Sequence, residues 1–163
     1  MAVCETTPLM RRIFTVTGNG INQPGNYNVK IGTSYAELVE ASGGLKDGVK
    51  KVISGGPMMG MALSTIDIPV VKTSSALTCF MEDEVEKYEE SACIRCGKCA
   101  QVCPSHVIPQ KLMEAAQHYD MEKFTALNGM ECCECGCCTF ICPAKRPLTQ
   151  AFKQMRQAVA AER

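Results

Sequence analysis

Short apolar runs separated by turn residues make up the first part of the chain. Two such runs, residues 11–17 and 27–31, flank the turn-forming pair Pro24-Gly25, and this pattern predicts a β-hairpin. Further runs at 49–56 and 66–72 predict two more strands. A proline interrupts the second of these, so we expect it at an edge of the sheet, where a missing N–H is tolerated.

A helix is predicted between the two pairs of strands. Ser34 and Glu37 have the spacing of a capping box, which satisfies free N–H groups at a helix start. Tyr35, Leu38 and Val39 then fall on one side, and two glycines follow where the helix ends. Two strands, a helix and further strands in this order favour a small β-grasp domain.

The first strand runs into a Gly-Asn-Gly sequence, Gly18 to Gly20, which resembles the opening of a dinucleotide-binding fold. A turn follows it instead of a helix, and no G-x-G-x-x-G unit lies in a strand–turn–helix context. We therefore expect no catalytic site in this chain, and neither a flavin site nor an NADH site.

The last part of the chain has helical periodicity. Pro109 is placed to begin a helix, with Leu112, Met113 and Ala116 on one face, and a shorter helical stretch carries Phe124 and Leu127. A further helix is predicted after Pro147, and its apolar stripe consists of Leu148, Phe152, Met155 and Val159. We expect these stripes to pack together as a helical core.

Composition narrows the functional classes. The chain has 163 residues, with 17 basic and 17 acidic side chains, and this balance gives no reason to expect nucleic acid. No apolar run approaches the roughly 20 residues of a membrane span, so no transmembrane segment is predicted. Most of the 12 cysteines lie between Cys93 and Cys142. Such clustering favours metal binding in a reducing cytoplasm over a disulfide scaffold.

The spacing of the cysteines selects the ligands. The stretch CIRCGKCAQVCP has the pattern C-x2-C-x2-C-x3-C-P of bacterial two-cluster ferredoxins, with cysteines at 93, 96, 99 and 103. The stretch MECCECGCCTFICP is more crowded. When the same template is anchored at Cys142-Pro143, it selects Cys132, Cys135 and Cys138, and a glycine then follows the second ligand in both stretches.

This pattern predicts two 4Fe–4S clusters with crossed ligation. Three cysteines spaced three apart wrap around one cluster, whereas the fourth lies about 6 Å further along if the turn is helical and reaches the neighbouring cluster. We therefore assign one cluster to Cys93, Cys96, Cys99 and Cys142, and the other to Cys132, Cys135, Cys138 and Cys103.

Other interpretations of the cysteines are zinc and disulfides. Zinc also binds C-x-x-C pairs, but a doubled triplet followed by Cys-Pro is far more specific than two pairs. Four cysteines fall outside the template, and we expect them not to be ligands: Cys4, Cys79, Cys133 and Cys137. His106 and His118 are predicted to be surface residues, since eight ligand positions are already filled.

Charges near the two motifs predict an order of reduction. Arg95 and Lys98 interleave the first triplet, and Lys145-Arg146 follows Cys142, whereas Glu131 and Glu134 accompany the second triplet. Because a reduced cluster carries extra negative charge, nearby cations favour reduction. The first cluster is therefore expected to be the easier one to reduce.

The predicted organisation is α+β. Residues 1–10 form an N-terminal tail, 11–75 the β-grasp domain, 76–91 an acidic linker, and 92–163 an α-helical two-cluster ferredoxin domain that ends in a helix.

Several stretches together resemble a known family. They are FTVTGNGINQPGNYNVKIGTS, GGPMMGMAL and the doubled cysteine motif, whose halves are followed by IPQKL and PLTQAF. In these features the chain resembles the C subunit of the Rnf complex, an ion-translocating ferredoxin:NAD oxidoreductase. The likeness extends from about Arg11 to Arg156, with a soluble-ligand-binding β-grasp (SLBB) half and a ferredoxin half.

The resemblance implies an electron-transfer module with the eight cysteines as cluster ligands. It also implies a peripheral location on the cytoplasmic side of the bacterial membrane, with other subunits of the complex and possible contact with ferredoxin. The family's FMN- and NADH-binding domain is expected before this sequence, so we expect an excised fragment or a shortened homologue. The alternatives are a cobalamin-reductase-type electron carrier of a microcompartment and a zinc-bound interaction adaptor.

Overall fold

The apolar runs of the first half form one mixed sheet. The computed structural model describes residues 3–162, and the chain divides into two units, one ending at Lys87 and the other beginning at Tyr88. The strands of the first unit are β1 (Arg11–Thr17), β2 (Gly25–Lys30), β3 (Lys51–Ser54), β4 (Met61–Ala62) and β5 (Ala76–Phe80), and its helix is α1 (Tyr35–Ala41).

The order of the strands is β2-β1-β5-β3-β4. The two central strands, β1 and β5, are parallel, while the pairs β1–β2, β3–β5 and β3–β4 are antiparallel. Helix α1 lies between β2 and β3 in the chain. A mixed sheet with parallel central strands and one helix after the first hairpin is the predicted β-grasp arrangement, and the prediction is confirmed.

Helix α1 begins and packs as the sequence predicts. The Ser34 hydroxyl accepts a hydrogen bond from the N–H of Ala36, and Tyr35, Leu38 and Val39 are buried. Their side chains join Phe14 and Leu77 from the central strands in one core. The Tyr35 ring lies 5.2 Å from that of Phe14.

The sheet corrects two sequence predictions. Residues 66–72 do not form a strand; this segment makes only an isolated bridge between Ser34 and Pro69, although Val70 is fully buried. Residues 76–80, assigned to the linker from the sequence, form β5 in the middle of the sheet. The linker prediction is therefore wrong for these five residues, and the first unit extends to Lys87.

The Gly-Asn-Gly sequence packs closely against the backbone of strand β5. A Cβ atom at Gly18 would lie 2.0 Å from the carbonyl oxygen of Cys79 in β5, and the N–H of Gly20 donates to that same oxygen at 3.0 Å. Glycine permits this close approach of two backbone segments because it has no side chain.

The second unit is helical. Its helices are α2 (Lys98–Gln101), α3 (Pro109–Gln117), α4 (Met121–Ala126), α5 (Cys137–Ile141) and α6 (Leu148–Ala161). The predicted stripes are buried in one core, to which α3 contributes Leu112 and Met113 and α6 contributes Phe152 and Met155. The Phe124 ring of α4 lies 6.2 Å from that of Phe152. Within residues 3–162, none of the helices has the length and apolar character that crossing a bilayer requires.

Candidate iron–sulfur centres

The two cysteine motifs adopt the same backbone conformation. In each, the residue before the second cysteine is left-handed, with φ 55° at Arg95 and 56° at Glu134. This conformation turns the N–H of Arg95 toward the Cys93 sulfur and that of Glu134 toward the Cys132 sulfur, both at 3.4 Å. Each motif therefore points a backbone donor at its first sulfur.

The repeat continues beyond the second cysteine. Gly97 and Gly136 follow it with φ 77° and 82° and lead into the short helices α2 and α5. Three residues after the fourth cysteine, His106 and Lys145 are again left-handed, with φ 52° and 53°. The chain then enters the longer helices α3 and α6. The repeated spacing thus coincides with a duplication of the backbone conformation.

The first cavity collects cysteines from both motifs. It measures about 90 Å³ and is lined by the sulfur-bearing residues Cys93, Cys96, Cys99 and Cys142. Three of them come from the first motif, and Cys142 is the last cysteine of the second. The rest of the lining includes apolar residues such as Ile108 and the basic residues Arg95 and Arg146. This is the ligand set that the crossed assignment predicts.

The second cavity repeats this arrangement with the motifs exchanged. It is smaller, about 10 Å³, and its predicted ligands are Cys132, Cys135, Cys138 and Cys103. Phe152 from the helical core also lines it. The predicted second ligand set is therefore brought together as well, with Cys103 contributed by the first motif.

The environment of the thiols changes their pKa values. Burial is the main cause that raises the pKa of Cys99, with a smaller contribution from Cys142. Burial likewise raises the pKa of Cys132, to which Cys103 adds, and that of Cys138, to which Cys132 adds. Cys133, which belongs to neither predicted set, raises the pKa of Cys132 more than Cys103 does, so these effects report proximity and do not by themselves select the ligands.

Cys135 is the most strongly shifted thiol. The backbone N–H of Cys137 acts to lower its pKa, but burial and the thiols of Cys137 and Cys133 outweigh that donor, and the pKa rises to about 11. Because iron binds the thiolate, a metal at this site must displace the proton of Cys135, and its binding releases protons.

The donor set fits iron–sulfur clusters. Soft thiolate ligands favour iron–sulfur clusters and zinc. The predicted cysteine sets that line the two cavities supply eight thiols, as many as two 4Fe–4S clusters take from a protein.

The remaining cysteines and histidines lie in different settings. Cys79 is fully buried in the sheet core, and Cys4 is exposed. Cys137 does not line the second cavity, whereas Cys133 does. His106 and His118 are both exposed, as predicted.

Ion pairs modify the charge pattern expected from the sequence. Arg156 on α6 donates to the carboxylate of Glu134, and Arg146 pairs with Glu90 at 3.1 Å. The Lys145 ammonium lies 4.2 Å from the centre of the Tyr88 ring. Sequence reasoning missed Arg156 because it is 22 positions from its partner. With Glu134 paired, the charge contrast between the two centres is smaller than the sequence suggests.

Comparison with known families gives two domain matches. The family model of the SLBB domain matches residues 13–62. The model of the 4Fe-4S binding domain matches residues 86–108, which contain the first cysteine motif. The predicted β-grasp domain of the SLBB type and the iron–sulfur character of the second unit are thereby confirmed.

Curated relatives match over most of the chain. The C subunit of the proton-translocating ferredoxin:NAD(+) oxidoreductase complex of Clostridium ljungdahlii is 43% identical over 68% of this chain and 24% of its own length. Its Na(+)-translocating counterpart from Acetobacterium woodii is 38% identical, over 96% of this chain and 35% of its own. The C subunit of the ion-translocating oxidoreductase complex of Klebsiella pneumoniae is 38% identical over 99% of this chain and 22% of its own length.

The chain thus spans between about a fifth and about a third of the length of these relatives. The resemblance noted in the sequence is confirmed by their identity to this chain and by the two domain matches. With an SLBB domain followed by a 4Fe–4S binding domain, the chain is homologous to part of the C subunits of ion-translocating ferredoxin:NAD oxidoreductase complexes.

Proposed function

We propose that this chain relays electrons through two 4Fe–4S clusters. One cluster is held by Cys93, Cys96, Cys99 and Cys142, and the other by Cys132, Cys135, Cys138 and Cys103. The observation that carries the proposal is the composition of the two cavities. The first is lined by three cysteines of the first motif and the last cysteine of the second. The other is lined by Cys103 of the first motif together with the predicted triplet and Cys133 of the second. Crossed ligation of this kind is typical of two-cluster ferredoxins.

The protein contributes ligands, hydrogen bonds and burial, and the bound clusters supply the capacity to take up and release single electrons. The N–H groups of Arg95 and Glu134 point at ligand sulfurs. Hydrogen bonds to sulfur stabilise the reduced, more negative state and raise the reduction potential. The same fold serves both centres, so differences between them come from side chains and exposure.

Exposure supports the predicted order of reduction. Cys93 and Cys96 are exposed, whereas Cys132 and Cys135 are partly buried and Cys138 is buried. Solvent stabilises the added negative charge of a reduced cluster, and burial opposes it. Together with Arg95 and Lys98, this favours the first cluster as the easier one to reduce.

We further propose that the relay works inside a membrane-associated complex. The curated relatives are named as subunits of ion-translocating complexes that use ferredoxin and NAD(+). By analogy, the chain passes electrons between a flavin and NADH site outside the described residues and a protein partner, with ferredoxin a candidate. It would then lie peripherally at the cytoplasmic face of the membrane.

Anaerobic reconstitution of the full chain tests the relay and the ligand sets. The wild type should bind about eight iron and eight sulfide ions, turn brown, and bleach with dithionite. Cys99→Ser and Cys138→Ser, each in a different triplet, should remove one cluster each and so assign its electron paramagnetic resonance (EPR) signal.

The decisive pair of variants removes the fourth cysteine of each motif in turn. Cys103→Ser should damage the cluster assigned by Cys138→Ser, and Cys142→Ser the cluster assigned by Cys99→Ser. Cys4→Ser, at an exposed position, is the matched control and should retain all the iron. Damage to each variant's own triplet would refute crossed ligation, and a colourless chain that contains zinc would refute the relay.

A further inference from the structure

A fifth thiol lies at the second centre. Cys133 lines the cavity together with the four proposed ligands. Ser105, two residues after the proposed ligand Cys103, lines the same cavity, and so does Cys135. Cys133 therefore shares this space with two segments that supply proposed ligands to the same cluster.

Cys137 provides an internal comparison. Like Cys133, it lies two residues from Cys135 in the sequence, but it is not among the residues that line the cavity. Nearness to Cys135 along the chain is thus common to both extra cysteines, whereas access to the cluster space is a property of Cys133.

The structural duplication provides a second comparison. Cys133 directly follows the first cysteine of its triplet, and the equivalent residue of the first motif is Ile94. Ile94 lines the first cavity as Cys133 lines the second. In both motifs, then, this position adjoins the space between the ligands, but only the second motif places a sulfur there.

We propose that Cys133 is a reserve ligand of the second cluster, which takes the place of Cys135 on iron. This inference rests on the cluster assignment proposed above. In the exchange, the bond between iron and the Cys135 sulfur breaks and a bond to the Cys133 sulfur forms. The Cys133 thiol gives up its proton, which the released Cys135 thiolate takes, so the cluster keeps its oxidation state and its four cysteine ligands, one on each iron.

The first test substitutes Cys135 in the full reconstituted chain. Cys135→Ser should retain the wild-type iron content and both EPR signals, since Cys133 replaces the missing ligand. Cys133→Ser alone should also retain them, because Cys135 is present. The double variant Cys133→Ser, Cys135→Ser should lose the second cluster, about half of the iron, while Cys137→Ser, Cys135→Ser should keep it.

Alkylation followed by mass spectrometry reports the exchange directly. In the folded, cluster-loaded wild type, iodoacetamide should modify the exposed Cys133 thiol. In loaded Cys135→Ser, the same thiol should become protected, because it is bound to iron. Modification of Cys133 at the wild-type rate in that variant would refute the exchange even if some iron remained.

The first centre serves as a matched control and allows a gain of function. Cys96→Ser should lose the first cluster, because Ile94 offers no sulfur. Adding Ile94→Cys to that variant should restore it.

The outcomes separate this inference from the proposed function. If Cys135→Ser loses the second cluster as completely as Cys138→Ser does, the reserve ligand is refuted and the relay stands. If the wild type binds no cluster, both proposals fail. Failure of Ile94→Cys to rescue Cys96→Ser would show that this position does not reach the iron.

Discussion

The ion pair between Arg156 and Glu134 is expected to set the potential of the second cluster. Glu134 lies between the proposed ligands Cys132 and Cys135, and its N–H donates to the Cys132 sulfur at 3.4 Å. Its carboxylate is paired with Arg156, and the two side chains are 28% and 30% exposed. Glu134→Gln removes the negative charge and leaves the positive one, so the cluster should become easier to reduce.

The expected size follows from Coulomb's law. At roughly 8 Å, the reach of a glutamate from the neighbouring ligand, and an effective dielectric constant of about 20, one unit charge contributes about 2 kcal/mol. Partial exposure and salt screening reduce this to about 1 kcal/mol. For a one-electron couple, this corresponds to an increase of about 40 mV in the midpoint potential. Arg156→Gln should lower the midpoint by a similar amount.

Anaerobic potentiometric titration followed by EPR measures both shifts. The double variant Glu134→Gln, Arg156→Gln should return close to the wild-type midpoint, because the two charges oppose each other. Glu131→Gln is the matched control: Glu131 lies beside the same motif but is exposed, so its shift should be less than half as large. An unchanged midpoint in Glu134→Gln, or a raised one in Arg156→Gln, would refute the reasoning.

Three further predictions concern the first unit and the whole chain. Tyr35→Phe removes a buried hydroxyl that lies 2.9 and 3.1 Å from two serine hydroxyls. It should lower the free energy of unfolding, measured in urea, by about 1–2 kcal/mol. Tyr119→Phe, at a largely exposed residue, is the control and should change this free energy little. Lys51 lowers the pKa of Asp83 by hydrogen bonding, so the pair should add roughly 0.2–1 kcal/mol at neutral pH, a contribution lost as pH falls from about 4 through the lower folded pKa. Comparing Asp83→Asn with the wild type at pH 7 and pH 3 checks this; a difference as large at pH 3 as at pH 7 contradicts it. Finally, the purified chain should neither hold stoichiometric flavin nor reduce dyes with NADH, and either activity would show that a site was missed in the first unit.

Local patterns in the sequence predicted the cysteine sets and the helical core. The spacing in CIRCGKCAQVCP gives the position of each thiol relative to its neighbours, because the ligands of one triplet lie within a single loop. The apolar stripe that contains Phe152 and Met155 was equally predictable from the sequence, because helical periodicity depends only on nearby residues. Both the gathering of the predicted cysteine sets and the burial of the stripe are observed.

The features that local patterns missed depend on distant partners. Strand β5 pairs in parallel with β1, some sixty positions earlier in the chain, in the register Val16 to Leu77. Its central residues are buried in succession instead of alternating, because both neighbouring strands and the core enclose it. Residues 66–72 show the opposite error. Val70 is apolar because it fills the core, but the apolar run that contains it resembles a strand in the sequence.

The crossed lining of the two cavities has a consequence for the mechanics of the chain. With the proposed ligands, the first cluster ties Cys99 to Cys142, and the second ties Cys103 to Cys132 inside that interval. The clusters then act as two nested cross-links that close loops of about 40 and about 30 residues, and each restricts the unfolded chain by about 3–4 kcal/mol in a loop-entropy description. A cut between α3 and α4 would leave two fragments still held together by inorganic bridges. Gel filtration of such a nicked protein should give one species until a chelator removes the iron, and two species afterwards.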